Sequence, residues 1–154
     1  MNKKNGFLLL LVLLPAFAFA QTATEMDAML QTEAVSAAQA ARFALGSAGL
    51  LPPELSGAEA EKAAFDMAAS NGWIKIGAEQ SVTLKDAAFL IMKAFNLKGG
   101  VMYSLFKNPR YAYREMVYCK IIQGATDQSM RVSGQKLLQI LDRTLSRTEE
   151  GGAR

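Results

Sequence analysis

Val82-Thr83-Leu84-Lys85-Asp86-Ala87-Ala88-Phe89-Leu90 is the middle copy of a phrase that this chain writes three times. The first copy, Val35-Ser36-Ala37-Ala38-Gln39-Ala40-Ala41-Arg42-Phe43, begins 47 residues earlier, and the last, Val132-Ser133-Gly134-Gln135-Lys136-Leu137-Leu138-Gln139-Ile140, begins 50 residues later. Each copy reads as the start of a helix. Ser36, Thr83 and Ser133 are N-cap residue types, whose hydroxyls accept from unpaired N–H groups of the first turn. Gln39 completes a capping box and Asp86 offers a weaker version of one, while the preceding valines stand where a hydrophobic staple sits. The apolar residues that follow recur at helical spacing, giving each helix one buried face. Gly49 and Asn96 close the first two copies with residue types that accept a left-handed C-terminal conformation. Self-similarity at this period predicts stacked supersecondary units.

A second repeated element precedes copies two and three. Ala64-Phe65-x-x-Ala68-Ala69-x-x-x-Trp73-Ile74 matches Ala112-Tyr113-x-x-Met116-Val117-x-x-x-Ile121-Ile122 at a constant shift of 48. Each reads as an amphipathic helix ending near a glycine, Gly77 or Gly124, which belongs to a short loop. The predicted fold is therefore all-α, two and a half helix–loop–helix repeats packed as one small helical domain over 21–148. The half unit spans 24–50 and the full units 58–97 and 109–147, with a flexible tail over 149–154. Leu51-Pro52-Pro53 and Lys98-Gly99-Gly100 break the chain between units, and Asn108-Pro109 starts the next helix.

The first 20 residues read as a cleavable signal peptide. Lys3 and Lys4 form a basic start, Phe7 to Leu14 an apolar stretch, and Ala18-Phe19-Ala20 a signal-peptidase site before Gln21. The apolar run of residues 7–20 is shorter than the roughly 20 residues a spanning helix needs. The expectation is a periplasmic or otherwise exported protein with no stable membrane insertion after cleavage. The lone cysteine, Cys119, cannot form an internal disulfide and is expected to be buried as a small hydrophobe.

Charge is polarised. Residues 21–80 carry 3 basic and 8 acidic side chains, residues 81–154 carry 12 basic and 6 acidic. The basic half suits an acidic partner, or the two halves simply pair. Nucleic acid is not the expected ligand, because the charges of 21–154 nearly cancel. The chain has no histidine, which removes the commonest general base and metal ligand. Cysteine count and carboxylate spacing give no zinc or calcium motif, and Gly99-Gly100 lacks the Lys-Ser/Thr of a phosphate loop. No cofactor, metal site or catalytic residue is expected.

The best candidate contact surface is Lys107-Asn108-Pro109-Arg110-Tyr111-Ala112-Tyr113-Arg114, where Lys107, Arg110, Tyr111 and Arg114 bring planar cations and an aromatic face to a helix start. Against this, Tyr113 matches Phe65 and reads as core, and Arg110 and Arg114 also fit an exposed i,i+4 pair. Trp73 is either core, as its match to Ile121 implies, or a ligand platform. Met102, Tyr103, Leu105 and Phe106 either plug the core between units or form an exposed apolar patch, and plugging is the expectation.

The layout of Trp73-Ile74-x-x-Gly77 and Ile121-Ile122-x-Gly124, each followed by a capped helix, resembles the S-layer homology repeat. Leu84 and Gly134 stand where that family's motif has arginine. The resemblance implies the helical fold and binding of cell-wall polymers. Leu97 to Phe106, continuing into Pro109-Arg110-Tyr111-Ala112-Tyr113-Arg114-Glu115, is similar to a family of small exported proteins of spirochaetes, which implies export and no particular reaction. The expected function is a non-catalytic binding or assembly module of the cell envelope, contacting an envelope protein or an anionic cell-wall polymer. The alternatives are a carboxylate-based glycan-active enzyme and a periplasmic chaperone-like adaptor.

Overall fold

All three phrases start helices in the computed structural model, which describes residues 23–124 and 127–152. The signal segment, with Lys3, Lys4 and the cleavage site before Gln21, lies outside the described residues. The helices are α1 (residues 23–30), α2 (Ala37–Ser47), α3 (Gly57–Ser70), α4 (Leu84–Ala94), α5 (Val101–Leu105), α6 (Pro109–Tyr118) and α7 (Gly134–Gly152). The all-α expectation holds: among the described residues there is no strand, only isolated antiparallel bridges between Ser36 and Ser81 and between Thr83 and Arg131.

Those bridges belong to a closed ring. The Val35 N–H donates to the Val132 carbonyl at 2.8 Å, Val132 to Val82 at 3.1 Å, and Val82 back to Val35 at 2.9 Å. All three valines are buried. Their backbone groups are out of reach of water, where an unpaired one costs about 1–3 kcal/mol. The ring pairs one N–H and one C=O from each copy.

The helix starts continue the same accounting. The first turn of a helix leaves its N–H groups without intrahelical partners. Ala37 and Ala38 donate to the carbonyls of Gln80 and Ala78, Leu84 and Lys85 to those of Met130 and Gln128, and Gly134 to that of Thr32. The loop before one phrase thus caps the helix of another. The predicted side-chain caps complete the set. The Gln39 N–H donates to Ser36 Oγ and the Lys136 N–H to Ser133 Oγ, while the Ser36 and Thr83 N–H groups donate to Gln39 Oε1 and Asp86 Oδ2.

Around this ring α2 packs on α3 and α4 on α6, with α2 also touching α4 and α7. The matched element behaves alike in both places. Ala64 and Ala112, Ala68 and Met116, and Ile74 and Ile122 are buried pairs, and Phe65 and Tyr113 flank the core together.

The expected helix ends need correction. Both helices end earlier than expected from Gly77 and Gly124. α3 stops at Ser70 and α6 at Tyr118, because Gly72 (φ 69°) and Lys120 (φ 60°) take the left-handed conformation. The Trp73 N–H then bonds the Ala68 carbonyl, and the Ile121 N–H the Met116 carbonyl, closing each helix. Gly49 and Asn96 do end α2 and α4 with positive φ, as expected. Ahead of α2 the first segment holds α1, in the stretch where Thr24, Glu25 and Asp27 are expected to open a helix. At the other end α7 runs to Gly152, into the stretch expected as a tail, since no proline interrupts it and the Thr148 hydroxyl bonds back to the Leu145 carbonyl.

The first turn of α7 meets α1 at close quarters. Gly134 holds the place of Ala37 and Leu84, and a Cβ there would overlap the Met29 carbonyl and crowd its Sδ. Gly134→Ala is expected to destabilise the protein by more than about 2 kcal/mol, through overpacking against backbone. Gly77→Ala, whose Cβ would sit 3.6 Å from Gln80 Oε1, is expected to stay within about 0.5 kcal/mol. Urea unfolding of both variants checks the pair.

Candidate functional site

The connector after α4 decides what surface the C-terminal unit presents. Gly99 and Gly100 free the backbone to turn, and α5 follows for a little over one helical turn. Tyr103 points inward and is buried, its ring lying so close to Gly99 that a Cβ there would strike it. Burial raises the Tyr103 hydroxyl above its ordinary pKa. The neighbouring side chains face water: Val101 is 72 % exposed, Met102 55 %, Leu105 68 % and Phe106 54 %. The expectation that this stretch plugs the core therefore holds for Tyr103 alone. A single turn of helix can bury only one side, and Tyr103 takes it.

Asn108 accepts from the Tyr111 N–H at 3.1 Å and Pro109 takes the first helical position, so α6 begins where the sequence put it. This start sets the predicted contact residues. Phe106 from the connector stacks on Tyr111, with ring centroids 5.7 Å apart and planes 28° apart. The Arg114 guanidinium lies 6.0 Å from the centroid of the Tyr111 ring, at the limit of a cation–π contact. Tyr111 and Arg114 share a cleft of about 260 Å³ with Val101, Met102, Glu115 and Tyr118. Lys107 and Arg110 are exposed beside it. Trp73 stands elsewhere. It packs partly buried against the core and lines a cleft of about 80 Å³ with Asp86, Phe89 and Pro109, which shares no residue with the first. Sequence reasoning brought Trp73 into the set, while it missed Phe106 and Tyr118 as partners of Tyr111.

A third cleft, about 340 Å³, opens between the end of α4, α6 and α7. Met92, Phe95, Leu97, Met116 and Ile121 form its apolar floor, with Glu115, Cys119 and Arg147 at its polar wall. Cys119 is half-buried at the C-cap of α6 rather than enclosed in a helix interior. The helix ends one residue before it, and Cys119 packs, partly buried, against the core. Burial pushes the thiol pKa up, Arg147 pulls it down, and Glu115 adds an upward push, with the thiol 3.6 Å from Glu115 Oε1.

Carboxylates gather on the acidic half. Glu25 pairs with Arg42 at 3.5 Å and accepts from the Gly57 N–H at 2.8 Å, tying α1 to α2 and to the start of α3. Burial, then the charges of Glu25 and Glu79, hold Glu61 above the ordinary carboxylate range, against a downward pull from Arg42. Each of the three clefts described above has one carboxylate, Asp86 in one and Glu115 in the other two. Among the described residues no three His, Cys, Asp or Glu side chains come together to hold a metal ion, and no helix is long and apolar enough to cross a membrane. Comparison of the chain with protein-family models, with curated proteins and with solved structures finds no match.

Two measurements follow from these groups. Cys119 is expected to alkylate several-fold more slowly than free cysteine at about pH 8, and Arg147→Ala to slow it further by removing the charge that favours thiolate. Because Glu61 has a raised folded-state pKa, its ionisation costs stability as pH rises from the unfolded value through the folded one. Glu61→Gln is expected to raise the melting temperature at neutral pH and to leave it unchanged in acid, where both states hold the proton.

Proposed function

We propose that the protein is a non-catalytic, exported module of the cell envelope, which binds or assembles with an envelope protein or an anionic wall polymer through the α5–α6 surface. The observation that carries this is the Phe106–Tyr111–Arg114 stack, with Lys107 and Arg110 beside it. A guanidinium held over a ring keeps its planar fork free for a carboxylate or phosphate, and the ring offers a flat apolar face. Aromatic and arginine side chains are the types that dominate binding energy at protein interfaces. The basic balance of residues 81–154 favours an acidic partner. The leader-like first 20 residues support export, and the likeness to wall-binding repeats supports the envelope.

The experiment is capture of envelope components by the purified protein. Arg110→Ala combined with Arg114→Ala is expected to weaken capture at least tenfold, while Trp73→Phe leaves it unchanged. Retention of every partner by the double variant would reject this surface.

A further inference from the structure

We infer that α5 and its flanks seat this protein on an anionic phospholipid surface. Val101, Met102 and Leu105, exposed but outside the Phe106–Tyr111–Arg114 stack, carry it beyond the partner proposed above.

Val101, Met102, Leu105 and Phe106 are each more than half exposed, and Tyr118, 83 % exposed, joins Val101 and Met102 along one cleft. Scattered exposed hydrophobics are ordinary, but a contiguous group on one short helix marks a contact site. The group is rimmed by cations. Arg114 lines the same cleft, Lys107 follows Phe106 and Arg110 precedes Tyr111 in the chain, and all three are exposed. Glu115 is the only acid between residues 98 and 120, against five Lys and Arg; it borders the same cleft, with its Oε1 3.6 Å from the Cys119 thiol. The complement of an apolar tip in a basic rim is an apolar layer beneath a negative surface.

Exposure separates a bilayer from a protein partner. Side chains this exposed stand out from the domain, so a protein would need a matching pocket for each. A lipid interface accepts protruding aliphatic groups in any arrangement, to a depth of about 5–10 Å, with tyrosine at headgroup level and cationic side chains reaching to the phosphates. α5 has 5 residues, far too few to span a bilayer, so the tip rests in the interface. The rim acts over about one Debye length and attracts anionic lipid before the tip enters.

The test is co-sedimentation of purified protein beginning at Gln21 with phosphatidylcholine vesicles, plain or one-third phosphatidylglycerol. Binding is expected to the anionic vesicles, at least tenfold weaker to the plain ones, and reduced by salt. Leu105→Ser with Phe106→Ser, both on the surface, is expected to lose at least tenfold in affinity with an unchanged melting temperature. In Leu105→Trp the new indole is expected to shift to the blue on anionic vesicles and to be quenched by brominated lipid. No binding to anionic vesicles, equal binding to both kinds, or full binding by the Leu105/Phe106 variant would overturn the inference. Pelleting without vesicles that the same variant abolishes would overturn it too, assigning the tip to a second copy of this chain. Capture of envelope components is measured without lipid, so the failure of one proposal leaves the other standing.

Discussion

The ring of three backbone hydrogen bonds among Val35, Val82 and Val132 is the constraint on which the rest of the structure depends. Three extended segments converge where no water reaches, and each satisfies its neighbour. Directly after each valine, the cap residue turns the chain into a helix. The ring therefore sets where α2, α4 and α7 begin and in which direction they leave. It also explains why the donors of the first turns find carbonyls in other parts of the chain: the segment before each valine is already lying alongside. A branched residue suits the extended backbone at this point. Its small side chain fills the buried centre.

The helix starts were legible because capping is written in consecutive residues. Ser36 with Gln39 and Thr83 with Asp86 carry their own geometry. The ring was not legible, because pairing between backbones far apart leaves no mark on side-chain identity. The sequence showed Val35, Val82 and Val132 as staples for the helices that follow, and nothing in their identity pointed to one another. Gly134 is similar. Its difference from Ala37 and Leu84 was plain in the sequence, but only the approach of Met29 gives it a cause. The ends of α3 and α6 were misplaced for another reason. Trp73 and Ile121 keep the apolar pattern past the helix, since the reversed chain buries them against the same core.

The candidate surface divides in the same way. Arg110, Tyr111 and Arg114 could be placed together because they sit on one helix at regular spacing. Phe106 comes from across the Asn108-Pro109 turn, and stacking on Tyr111 depends on how that turn folds. α5 escaped notice because 5 residues are too few to show a period. Its inward residue could not be distinguished from its outward ones until the position of α6 was known. The acidic residues are also spread through the sequence, yet the fold brings the charges of Glu25, from α1, and Glu79, from the loop before α4, to bear on Glu61.

A ring has a different stability from a stack. In an open array of repeats the end units can fray or be deleted one at a time, since each touches only its neighbours. Here the first and last copies are neighbours too, through Val35 and Val132 and through Met29 and Gly134. Losing any one copy breaks two of the three central bonds and exposes the carbonyls that cap another helix. Each copy therefore depends on both of the others rather than on one neighbour. A chain that emerges N-terminus first, as from a ribosome, can close the ring only once Val132 is free, so the fold waits for the third copy.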